Sequence, residues 1–152
     1  MARIRSIKPE FPHSESMGAV SRDARLLFVQ LWTLVDDSGR ARGNSRILAS
    51  LLFPYDDDAK DLIGGWLEEL ESVSCVRRYM ADGETYIEVC KWLKHQKIDR
   101  PTASKLPAFD ESFARIREPS RGIVQEVDLE VDLGSGPRIK ETTNSKATSK
   151  EE

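Results

Sequence analysis

From Ser21 to Asp37, apolar residues recur at three- and four-residue spacing: Ala24, Leu27, Phe28, Leu31, Trp32, Leu34 and Val35. This period predicts a helix with Ser21 as its N-cap and Gly39 as its C-terminal stop. A shorter second helix, capped by Asn44, carries Ile47, Leu48, Leu51 and Leu52 and ends at Pro54. The run Asp56-Asp57-Asp58 suits the positive start of a third helix, whose apolar face is Leu62, Ile63, Trp66, Leu67 and Leu70. Gly64 and Gly65 weaken that helix by up to about 1 kcal/mol each, so close packing or a bend is expected there.

After Glu71 the period becomes two. Asp82-Gly83 is a strong two-residue hairpin turn. Around it Val76 faces Val89, Arg77 faces Glu88, Arg78 faces Ile87, Tyr79 faces Tyr86 and Met80 faces Thr85. One face then offers Val76, Met80, Ile87 and Val89 to the core. The other carries a tyrosine pair and an Arg–Glu pair, both favourable cross-strand partnerships. Arg78 falls on the apolar face, with its stem expected to snorkel past the edge. Cys75 and Cys90 become neighbours, read as buried small hydrophobes in a reducing cytoplasm. Three helices followed by a hairpin is the order of a winged helix-turn-helix, an α+β fold.

Composition changes along the chain. All three tryptophans and all three tyrosines precede residue 93, whereas Glu141–Glu152 holds no large apolar side chain. That stretch cannot offset the roughly 1–2 kcal/mol per residue of backbone ordering. The expected organisation is a winged-helix domain over 1–105, its packed part beginning near Ser6, and a mostly disordered charged tail over 106–152. Within the tail, Asp110–Glu118 has helical spacing and Gln125–Leu133 alternates acid and aliphatic, read as a low-complexity linker with a partner's sheet edge or a short linear motif as the alternative. Charge is nearly balanced, 26 acids against 23 bases. No apolar run spans a bilayer, no signal-peptide core follows the basic start, and two cysteines make neither a disulfide framework nor a zinc site. A cytoplasmic location without membrane partners is expected.

Four segments, MARIRSIKPEF, ARLLFVQLW, FPYDD and above all KWLKHQKIDRPTASKLP, resemble phage-encoded replication proteins of the initiator or replisome-organiser type. The resemblance covers residues 1 to 107. It implies an N-terminal winged-helix domain that binds a phage origin and helps recruit the host helicase machinery. It implies no enzyme and no cofactor.

The basic residues bear on that expectation. Lys91, Lys94, Lys97, Arg100 and Lys105, with His95, are interrupted only by Asp99 and interleaved with Trp92, Gln96, Thr102 and Ser104. Such a segment suits phosphate contacts and counterion release. Arg3, Arg5 and Lys8 suggest a second basic arm, Arg40, Arg42 and Arg46 a third group, and Arg77 with Arg78 a basic wing. The third helix argues against major-groove reading, because Asp57, Asp58, Asp61, Glu68, Glu69 and Glu71 oppose Lys60 alone. The expected partner is therefore DNA, duplex or single-stranded, bound through arms and wing with weak base specificity. The alternatives are an adaptor for a helicase, loader or sliding clamp, and a transcription regulator, as monomer or homodimer. Neither His13 nor His95 has the neighbours that triad or zinc chemistry needs, and no GxxxxGK[ST] phosphate loop is present.

Overall fold

The computed structural model describes residues 2–112. They form a mixed α+β fold in the order α1 (Glu15–Gly18), α2 (Arg22–Leu31), β1 (Arg40–Arg42), α3 (Ser45–Leu52), α4 (Ala59–Ser72), β2 (Val76–Ala81), β3 (Glu84–Val89) and α5 (Trp92–His95). A short 3-10 turn, Phe11–His13, precedes α1. The strands make one antiparallel sheet in the order β1-β3-β2. Both tail segments singled out above, the second wholly and the first beyond Ser112, lie outside the described residues.

Local chemistry sets the ends of the two amphipathic helices. Ser21 accepts from the Ala24 N–H at 3.1 Å and Asn44 from the Ile47 N–H at 3.2 Å, so both caps form as expected. The first amphipathic helix stops earlier than its period suggests, at Leu31. Its last N–H groups turn to i−3 carbonyls, Thr33 to Gln30 at 3.0 Å and Leu34 to Leu31 at 2.9 Å. Asp36 Oδ1 then accepts from the N–H groups of Ser38 and Arg40, at 2.9 and 3.0 Å, closing a side-chain turn. That turn leads into β1, a strand the apolar pattern does not reveal because Arg-Ala-Arg has only one apolar residue.

The hairpin register is the expected one, from Val76↔Val89 through Met80↔Thr85. Its faces differ from expectation at two residues. Met80 is 42% exposed near the turn, whereas Arg78 is completely buried instead of snorkelling. The Arg78 guanidinium is held by Glu71 of α4, at 2.8 Å from Nη2 and 3.2 Å from Nε. The core lies between α2, α3, α4 and the sheet: Leu27, Phe28 and Leu31 meet Leu48, Ile63, Leu67 and Leu70 over Val76 and Ile87.

The other sheet face is covered as well. Leu106 and Phe109 pack on Tyr79, Ala81 and Tyr86. The Tyr79 hydroxyl donates to the Pro107 carbonyl at 2.6 Å. The packed chain thus runs past the boundary expected at Lys105, because a tyrosine pair on a sheet face presents apolar area that the next apolar residues can cover. Close packing does not explain Gly65, since a β-carbon there would meet nothing within 4 Å. No helix among the described residues is long and apolar enough to cross a membrane.

Candidate nucleic-acid interface

The fourteen basic residues proposed from sequence separate into two populations. One holds the fold together. Arg5 donates to the carbonyls of Trp32 and Val35 at 3.0 and 2.9 Å, satisfying acceptors left open at the end of α2. It also lies 5.0 Å from the Trp92 ring centroid, with only 8% of its side chain exposed. Burial lowers its pKa, opposed by the charge of Asp37. Arg3 bonds Asp37 directly, and Lys8 donates to the Lys94 carbonyl. Arg40 and Arg77 converge on Glu88 at 3.2 and 2.7 Å, and Arg42 pairs with Glu84. The Arg77 guanidinium also lies 4.1 Å from the Phe109 ring centroid. With Arg78 buried on Glu71, neither the N-terminal arm nor the hairpin displays the set of unpaired cations expected of it.

Asp37 joins the two ends of the domain, a role no sequence motif announces. Its buried carboxylate receives Arg3 on one oxygen and the Thr102 N–H, at 2.9 Å, on the other. The Thr102 bond is the main cause holding its pKa below the ordinary 3.8, with burial opposing and Arg3 assisting. Two neighbouring contacts reinforce it. Ser104 Oγ donates to Asp36 Oδ2. The buried Gln96 side chain clasps Ser6 from both sides, accepting from its N–H at 3.1 Å and donating to its carbonyl. The side chains of Gln96 and Ser104 are therefore attachment points rather than the phosphate contacts their polarity suggested, whereas Thr102 is attached through its backbone N–H and is itself exposed. Trp92 is buried beside Trp32 and is no stacking platform.

The second population is what these attachments leave outside. Lys91, Lys94, Lys97, Arg100 and Lys105 are exposed and make no ion pair among the described residues. Arg46 on α3 is exposed and unpaired in the same sense. The chain between Lys91 and Phe109 is drawn inward at Trp92, Gln96, Thr102, Ser104 and Leu106, so its cations stand outward along a fixed path. His95 differs from its neighbours: it is half-buried, with ring centroids 5.4 Å from Phe28 and 5.3 Å from Trp32. Burial, then the charge of Lys8, lowers its pKa, so the imidazole is neutral at neutral pH.

Two of the acids on α4 are also engaged. Glu69 accepts from the Ser21 N–H and hydroxyl at 2.6 and 2.9 Å, and Glu71 holds Arg78. Asp57 and Asp58 are exposed at the start of the helix. No group of three or more His, Cys, Asp or Glu among the described residues is placed to hold a metal ion. No protein-family model, curated protein or solved structure significantly matches the chain.

Proposed function

We propose that this chain is a non-enzymatic winged-helix module of phage DNA replication that binds DNA through the strip Lys91–Lys105. The observation that carries this reading is the strip itself: five exposed, unpaired cations on a segment fixed by internal hydrogen bonds. Such a surface neutralises phosphates without reordering, and its affinity rests on counterion release. The order helix–strand–helix–helix–strand–strand, with β1 added beside β3, supports the winged-helix reading. The four segments that resemble phage initiators support the replication role.

Fluorescence anisotropy of labelled DNA across a salt series tests the proposal. Binding is expected to weaken with a log–log slope of several units. Lys94→Glu with Lys97→Glu and Arg100→Glu is expected to abolish it while leaving the melting temperature in place. Absence of binding at low salt defeats the proposal.

A second reading rests on the acidic start of α4. There Tyr55, 95% exposed, stands beside Asp56, Asp57 and Asp58, a surface suited to a basic protein such as a helicase loader. Under that reading the charge reversals leave partner binding intact.

A further inference from the structure

A cavity of about 280 Å3 opens between the N-terminal segment, α2, the turn before β2 and the turn after β3. One wall is aromatic. Phe11, half-buried, lines it over Phe28 and Trp32, which are 0% and 1% exposed and back the Phe11 ring at 6.4 and 5.5 Å. Two lysines, Lys8 and Lys91, one acid, Glu10, and the neutral His95 also line it.

Size and chemistry together narrow the ligand. The volume is nearly twice the roughly 150 Å3 that takes a benzene ring, so a two-ring heteroaromatic fits. The accessible Phe11 ring suits the face of a planar ring, and the two lysines, partly offset by Glu10, suit a phosphate attached to it. Ser74 and Lys91, both lining the cavity, hold φ angles of 61° and 55°, a left-handed conformation uncommon for residues with a β-carbon. At Ser74 this conformation caps the C-terminus of α4, with the Ser74 N–H donating to the Glu71 carbonyl at 3.0 Å and the Cys75 N–H to the Leu70 carbonyl at 2.9 Å. Lys91 is also the first cation of the strip, so the cavity mouth and the phosphate path share a residue.

We propose that this cavity receives one unstacked nucleobase, presented by a single strand whose phosphates follow Lys91–Lys105. This inference rests on the nucleic-acid reading above and adds strand preference to it. A duplex keeps its bases stacked and paired and must flip one out to enter, so the single strand is the favoured form. A free nucleotide offers the same ring and phosphate and is the other source of this chemistry.

The test uses the full chain with a labelled 12-nucleotide single strand, the matching duplex, and dAMP followed by tryptophan fluorescence. Ser14→Phe narrows the mouth at an exposed residue whose hydroxyl makes no cap bond, Lys91→Gln removes a rim charge, and melting curves check both folds. The wild type is expected to prefer the single strand by about tenfold or more. Ser14→Phe is expected to erase that preference with duplex affinity unchanged, and Lys91→Gln to weaken single-strand binding more than duplex binding. Lys97→Glu, in the strip, should weaken both forms alike. Equal affinity for the two forms, or a preference that survives Ser14→Phe, overturns the cavity assignment and leaves the strip intact. Loss of all DNA binding with dAMP still bound assigns the cavity to a free nucleotide and defeats the strand. No binding of any probe defeats both.

Discussion

Arg78 of β2, with no exposed surface, donates from Nη2 and Nε to one oxygen of Glu71 near the end of α4, at 2.8 and 3.2 Å. The Arg78 N–H also donates to the other Glu71 oxygen, at 3.2 Å. The pair ties the helix to the sheet at the point where the chain reverses, and Glu71 is one of the acids that makes α4 look hostile to DNA. Removing one member strands a charge in the interior. Glu71→Ala is expected to cost about 3 kcal/mol, near the lower end for a buried pair because the Glu71 side chain is 23% exposed. Replacing both with Leu and Met should cost less than Glu71→Ala alone. Chemical denaturation of the three proteins checks the order.

The cover over Tyr79 gives a second expectation. Its phenol pKa is pushed up to about 12, chiefly by burial and then by the charge of Glu88. Phe109→Ala should cost about 1–2 kcal/mol of apolar burial, or about 5–10 °C in melting temperature. Ending the chain at Lys105 should cost more and bring the Tyr79 ionisation back toward its ordinary range, read by absorbance on alkaline titration.

Arginine and lysine variants should separate stability from binding. Arg5→Ala removes a charged donor from two helix-end carbonyls and should cost about 2 kcal/mol, with the salt slope of DNA binding unchanged. Lys97→Ala should leave the melting temperature in place and reduce that slope by about one unit. Melting curves and salt titrations on both proteins decide.

His95 makes stability depend on pH. Its folded pKa lies below the ordinary 6.5, so in mild acid the unfolded chain binds more protons than the folded one. Stability is therefore fully present above about pH 6.5 and declines as pH falls toward the folded value. His95→Gln should flatten the melting temperature between pH 7 and 5.5, measured by calorimetry.

Two glycines should respond in opposite directions. Gly65→Ala puts a β-carbon into open space within α4 and should stabilise by up to about 1 kcal/mol. Gly39→Ala should destabilise, since φ is +84° and the new β-carbon would stand 2.8 Å from Trp92 Cβ. Denaturant midpoints of the two variants test the contrast.

What the sequence alone determined about this protein is what neighbours along the chain decide. Ser21 and Asn44 cap helices because a hydroxyl and an amide reach N–H groups three residues on. Asp82-Gly83 sets the hairpin register because both residues accept positive φ, 51° and 79°, and every later pair then follows by counting. The cation strip was legible for the same reason, being consecutive in the chain. Only the tertiary structure decided which charged and polar groups are already engaged. Arg3 finds Asp37, 34 residues away, Arg40 finds Glu88, 48 away, and Gln96 finds Ser6, 90 away. Long-range ion pairs and hydrogen bonds carry no sequence period, so such partners appear only once the helices and sheet have packed. That packing turned the arm and hairpin arginines into scaffold, showed β1 in an arginine-rich segment, and left the cations of Lys91–Lys105 exposed.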